Sequence, residues 1–291
     1  MTGPEGFRLM GIVNVTPDSF SDGGRYLSVR TAIEHGRALV EEGAQIVDVG
    51  GESTRPGAEP VAEQEELRRV LPVVEGLAAA DWAPARAQIS IDTSKAAVAR
   101  AALEAGASMV NDVTALRGDA QMAQVVAESG AECCLAHMRG DPRTMQRDPR
   151  YDDVVDDVKA FLAERLAFAV REGVAEDRVL LDPGIGFGKT LEHNLQLLAR
   201  LQEIVALGRP VLVGTSRKAF LGRLGGDADG QRRLGGTIAS NVLALERGAR
   251  VFRVHEVAPV REALAVAAAT LGGRWTTSPT PTPTTPTTPT T

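Results

Sequence analysis

"RLMGIVNVTPDSFSDGG", Arg8 to Gly24, begins as a run of strand-forming residues and breaks at Asn14 into a loop mixing Pro, Asp, Ser, one Phe and paired Gly. The run is apolar at nearly every position instead of at every second one. A strand of that kind is buried on both faces, which is the mark of a parallel sheet covered by helices. Seven more runs share the pattern: "QIVDVGG", "QISIDTS", "SMVNDVT", "ECCLAHM", "RVLLDPG", "PVLVGTS" and "VFRVHEV".

Segments of helical period separate these eight runs. Val29, Ile33, Gly36 and Val40 recur on one helical face, and "KAAVARAALEAGA" is built from strong helix formers. Glycine punctuates the helix ends ahead of the next strand in "EEGA", "LEAGA", "AESGA", "REGV" and "ERGA". Eight strand–helix repeats over residues 1–273 favour a single closed (β/α)8 TIM barrel; an open doubly wound sheet is the alternative. Residues 274–291 end in "TTSPTPTPTTPTTPTT", which has nothing apolar to bury and is expected to be a disordered low-complexity tail.

Composition narrows the class. With 43% hydrophobic and 24% charged residues the chain reads as an ordinary globular protein. A net charge of −6 without a dense Lys/Arg run leaves no electrostatic footprint for nucleic acid or an anionic membrane. No apolar stretch approaches the ~20 residues of a membrane span, and "MTGPEGFRLM" does not have the form of a signal peptide, so a cytoplasmic protein is expected. Cys133 and Cys134 are neighbours on one strand, point to opposite faces and read as reduced core residues, not as a disulfide or a metal pair.

The carboxyl ends of the strands carry the chemistry. In order they offer Asn14; Asp48 and Glu52; Asp92; Asn111 and Asp112; His137 and Met138; Asp182; Ser216 to Lys218; and Arg253 with His255. In a barrel this end is the catalytic face. Any one buried Asp or Asn could simply satisfy backbone groups near a strand end. Eight strands delivering polar groups to one rim point to an active site instead. Asp92, Asn111 and Asp182 suit a flat heterocycle with an amide-like edge. Arg217, Lys218, Arg253 and His255 stand where barrels often bind phosphate.

Two motifs mislead. "DPGIGFGKT" ends like a nucleotide P-loop, but that motif needs Gly five residues before Gly188, where Pro183 stands. "DSFSDGG" starts like a calcium loop, yet its third position is Phe20 and its twelfth is Val29. The opening loop after Asn14 and "GGESTRPGAEP", Gly50 to Pro60, read better as mobile lids, with Phe20 and Pro56 offering apolar surface to a bound ring. Phe20 could also serve only to anchor its loop.

With "GIVNVTPDSFSDGG", "DVGGESTRPGA", "SIDTSK", "VNDV", "HMRG", "DPGIGFGK", "GTSRK" and "RVHEV" in this order and spacing, the sequence resembles the dihydropteroate synthase family from about Phe7 to Gly272. The resemblance implies a transferase that joins p-aminobenzoate to 6-hydroxymethyl-7,8-dihydropterin diphosphate with the help of Mg2+. It also implies a homodimer and competition by sulfonamides. It places the pterin on Asp92, Asn111, Asp182 and Lys218, with Met138 and Arg253 on the ring faces. It assigns Asn14 to magnesium, Thr54, Arg253 and His255 to the diphosphate, and Phe20, Thr54, Pro56, Phe187, Ser216 and Lys218 to p-aminobenzoate. Asp92, Asp182, Lys218, Arg253 and His255 are the implied catalytic residues. A catalytically silent pterin-binding paralogue and a methyltetrahydrofolate-type methyltransferase are the rival readings. "VTALRGD", Val113 to Asp119, has no role in this scheme.

Overall fold

A computed structural model describes residues 6–16, 25–53, 57–79, 87–141, 143–226 and 233–272, the side chains of 25–28 excepted. In chain order the elements are β1 (Arg8–Asn14), α1 (Arg25–Glu41), β2 (Ile46–Gly50), α2 (Glu63–Ala78), β3 (Gln88–Asp92), α3 (Ala96–Glu104), β4 (Met109–Asp112), α4 (Met122–Ser129) and β5 (Glu132–Ala136). They continue with α5 (Val154–Arg171), β6 (Val179–Asp182), α6 (Leu191–Ala199), α7 (Leu201–Val205), β7 (Leu212–Val213), α8 (Ala219–Gly225), α9 (Leu234–Glu246), β8 (Val251–Val254) and α10 (Val257–Gly272). Every strand pair is parallel, in the order β6-β5-β4-β3-β2-β1-β8-β7. A bridge between Leu181 and Val211, with the Leu181 N–H donating to Pro210 O at 3.0 Å, brings β6 to β7 and completes the TIM barrel. Residues 17–24 and 54–56 of the two lid loops fall outside the described residues, and the Thr/Pro run lies wholly outside them.

Local chemistry sets where the helices start and stop. Asp153 caps α5 by accepting from the Val155 and Asp156 N–H groups. Thr190 and His193 form a reciprocal capping box at the start of α6. At the end of α4, Gly130 takes φ +65°, a left-handed turn open to glycine at little cost, and its N–H returns to Val126 O. "PVLVGTS" contributes a shorter strand than its apolar run suggests: Leu212–Val213 pair with β8, and Val211 adds only the bridge to Leu181. No described helix is long and apolar enough to cross a membrane.

The two strand faces fill two separate cores. Outward residues such as Val13, Val49, Ile91, Cys133, Leu181 and Val254 pack beneath the helices. Inward, Met10, Ile46, Met109, Cys134, Leu180, Leu212 and Val251 form an apolar plug in the barrel. Cys133 and Cys134 thus lie on opposite faces, as expected of neighbours on a strand, and both thiols are free and buried. Below the plug Arg8 Nη1 donates to Gln88 Oε1 at 3.1 Å and Glu132 Oε2 at 3.0 Å, closing the amino-terminal end. Leu180 is 2% exposed, so Leu180→Ala is expected to cost about 3 kcal/mol, read as a lower urea midpoint at unchanged slope.

Candidate active site

Residues two apart on a strand share a face, so the plug decides what stands above it. Two positions beyond Ile46, Met109, Leu180 and Val251 come Asp48, Asn111, Asp182 and Arg253. Asp92 reaches the same level two positions beyond Ser90. Asp92, Asn111, Asp182 and Arg253 form the floor of a cleft of about 1230 Å³, and Asp48 lies fully buried at the same level.

One guanidinium organises the floor. Arg253 Nε donates to Asp48 Oδ2 at 2.6 Å and Nη2 to Asp92 Oδ2 at 2.8 Å. Asn111 Nδ2 donates to the same Asp48 oxygen at 3.0 Å, which fixes its amide. Two carboxylates therefore share one cation where little water reaches. Burial pushes Asp92 up to about 7 against the pull of Arg253, and Asp48 adds to the rise. Burial alone would lower the Arg253 pKa, but Asp48 and Asp92 raise it above its ordinary value.

Across the mouth Asp182 faces two lysines. Its carboxyl is raised by burial and opposed by Lys218, and its Oδ1 accepts the Gly184 N–H at 2.7 Å. Burial lowers Lys218 to about 8 although Asp182 favours its charge. Lys218 Nζ lies 4.3 Å from the centroid of the Phe187 ring and donates to Ile185 O. The loop between Asp182 and α6 folds tightly because Gly184 takes φ +65°, where a Cβ would stand 1.8 Å from His137 O. Lys189, 3% exposed, also borders the cleft.

Ser216 and His255 form the third wall. The Ser216 hydroxyl accepts the His255 N–H at 3.2 Å and meets His255 Nδ1 at 2.9 Å. With the hydroxyl proton directed to Nδ1, the ring proton belongs on Nε2. On the fourth side Asn14 and Glu52 border the cleft, and Glu52 is held by Lys95, which also binds the fully buried Glu66.

Of the residues read from the sequence, Asn14, Asp92, Asn111, Asp182, Phe187, Ser216, Lys218, Arg253 and His255 line this one cleft. Phe20, Thr54 and Pro56 lie outside the described residues. Met138 is buried and borders a smaller hollow of about 280 Å³ with Arg117, His137, Arg139, Tyr151 and Phe161 instead. Asp112 faces outward, and its carboxylate accepts from Thr114 and Leu116 to hold the next turn. Sequence reasoning placed Asp48 on the rim without its partner Arg253, and it missed Lys189, which nothing in the sequence marks as buried.

The sequence model of the pterin binding enzyme family matches residues 10–255 of the chain. The dihydropteroate synthase of Escherichia coli (strain K12) is 46% identical over 268 residues, 91% of this chain and 92% of that one. The dihydropteroate synthase of Xanthomonas albilineans, solved with 4-aminobenzoic acid, has a TM-score of 0.84 at 49% identity over 90% of this chain and 92% of that one. The same enzyme in complex with 7,8-dihydropteroate has a TM-score of 0.80 at 46% identity, covering 90% and 93%. The Yersinia pestis enzyme in a sulfonamide drug complex has a TM-score of 0.86 at 44% identity, covering 94% and 97%.

Asp92 holds its proton longer in the folded protein than in the unfolded chain. Between the ordinary carboxylate range and about 7 the folded state therefore binds more protons, and Asp92 alone makes stability fall as pH rises through that window. Carboxyl 13C NMR should find the Asp92 midpoint raised. Arg253→Met should lift it further and Asp48→Asn should lower it; shifts of the opposite sign would break the shared-cation account.

Proposed function

This chain belongs to the pterin binding enzymes, among their dihydropteroate synthases, and on that basis we propose how its rim performs their reaction. The protein is a transferase that condenses 6-hydroxymethyl-7,8-dihydropterin diphosphate with p-aminobenzoate, giving 7,8-dihydropteroate and pyrophosphate. The observation that carries our reading is the convergence of Asp92, Asn111 and Asp182, at the ends of β3, β4 and β6, with Lys218, after β7, on one cleft. They present carboxylates, a carboxamide and an ammonium to the amide-like edge of the pterin. A ring without that edge would leave buried groups unpaired.

Arg253 and His255 face the diphosphate, and Asn14 is the residue that would hold magnesium. Among the described residues no group of three or more His, Cys, Asp or Glu is placed to cage an ion. A side-chain amide oxygen at the cleft edge suits Mg2+, which keeps several waters and takes phosphate oxygens as ligands. When bound it supplies Lewis acidity to the departing anion.

In our reading the bond from the pterin methylene carbon to the diphosphate oxygen breaks first, and its electron pair leaves with pyrophosphate. Asp92 and Asp182, held by Arg253 and by the Gly184 N–H, stabilise the positive charge left on the pterin. The arylamine nitrogen, nucleophilic while neutral, then forms the new C–N bond and passes its surplus proton to water, so no strong base is needed. Phe187 and Ser216 border the space for p-aminobenzoate, and Phe20, Thr54 and Pro56, outside the described residues, would complete it. A silent paralogue is disfavoured by a rim that keeps these groups together. A homodimer through helices away from the rim is supported by Leu243 on α9 and Val266 on α10, 45% and 66% exposed.

Purified chain given the pterin diphosphate, labelled p-aminobenzoate and Mg2+ should form labelled dihydropteroate, and a chelator or a sulfonamide should stop it. Asp92→Ala is expected to lower turnover by about a hundredfold or more while leaving the melting temperature nearly unchanged. Product without added Mg2+, or an Asp92→Ala variant of normal rate, would reverse these assignments.

A further inference from the structure

"GIGFGKT" is no P-loop, and the structure gives its lysine a different use. A P-loop lysine reaches out to phosphates. Lys189 folds back: its Nζ lies 2.9 Å from His137 Nδ1, donates to Phe187 O at 3.1 Å, and has a longer contact of 3.5 Å with His137 O. These contacts hold Nζ against His137 and the Phe187 carbonyl, while the side chain still borders the cleft. Burial pushes the Lys189 pKa well below its ordinary value; Asp182 favours its charge, while Lys218 opposes it.

The loop that Lys189 ends is a chain of individually tied groups. Gly184 N–H binds Asp182 Oδ1 at 2.7 Å, Gly186 N–H binds Asn194 Oδ1 at 2.7 Å, and Gly188 O accepts from the Tyr151 hydroxyl at 2.8 Å. Gly184, Gly186 and Gly188 all take positive φ and carry no side chain, so few side chains within the loop can hold its path. Phe187 is the residue whose ring borders the cleft, and its carbonyl is tied by Lys189. His137, packed edge-on against Phe161 at 4.8 Å, gives the ammonium a rigid acceptor at the end of β5.

We propose that Lys189 is a positioning residue for the second substrate: its Nζ ties Phe187 O to His137, and so sets the aromatic wall on which p-aminobenzoate packs. This rests on the reading of the cleft given above. The tie requires His137 to accept at Nδ1, hence a neutral ring with its proton on Nε2. Burial and the charge of Lys189 push His137 down to about 2, in keeping with a neutral imidazole.

The test compares steady-state constants of the full-length wild type with those of Lys189→Met and Lys189→Gln. Lys189→Met should raise the KM for p-aminobenzoate about tenfold or more, with the KM for the pterin diphosphate changed less than about twofold. Lys189→Gln, which keeps a donor for Phe187 O, should fall between Met and wild type. A rise in both constants, a loss of kcat alone, or no change would overturn the proposal. Should Lys189→Met fail to fold, the glutamine variant carries the same comparison. Nitrogen-15 NMR of wild-type His137 needs no variant: a neutral Nε2–H ring at pH 7 supports the tie, and an Nδ1–H or doubly protonated ring defeats it. A wild type that forms no product would count against the function itself, whereas an active wild type with an indifferent Lys189→Met variant would sink only this role for Lys189.

Discussion

A side chain on the inner face of a closed barrel has only the axis to point toward, and strand alternation brings every second residue there. The interior is filled up to the level of Met10, Ile46, Met109, Leu180 and Val251, so the next inward residue on each strand is the first to meet the mouth. Asp48, Asn111, Asp182 and Arg253 therefore converge because of their count along the strand and need no long loop to carry them. The apolar plug makes the floor rigid, and the rigid floor makes the polar layer a fixed array of charges.

That array is not neutral group by group. Arg253 answers Asp48 and Asp92 together, and Asp182 faces Lys218 and Lys189. Asp92 and Asp182 are raised and Lys189 and Lys218 lowered, because burial opposes charge on both sides. Each side is left able to gain from a ligand that supplies what it lacks: hydrogen-bond donors for Asp92 and Asp182, and negative charge for the cations. A pterin edge joined to a diphosphate carries both, which is the electrostatic reason for one substrate to span the mouth.

The barrel was legible from the even burial of its strands and the glycine stops of its helices, since both signals are local. Most rim residues were legible too, because each lies at a strand end. Position alone did not separate Asp92, which faces the cleft, from Asp112, which faces the helices; strand parity makes that distinction. Nor did it reveal Asp48 as the partner of Arg253, a contact between β2 and β8 that closes only when the chain ends meet around the barrel. Lys189 escaped for a different reason. Its role depends on a backbone path that turns the side chain inward, and a motif defined by spacing carries no record of direction.

Cys133 and Cys134 sit back to back on β5, one beneath the helices and one inside the plug. Burial raises both thiols above their ordinary pKa, so neither offers a thiolate at the surface. They are the chain's two cysteines, and the folded molecule is thus chemically blank toward thiol reagents. A cysteine introduced at any exposed position would be the sole reactive one, so a spectroscopic reporter could be mounted on the rim of the otherwise unaltered protein.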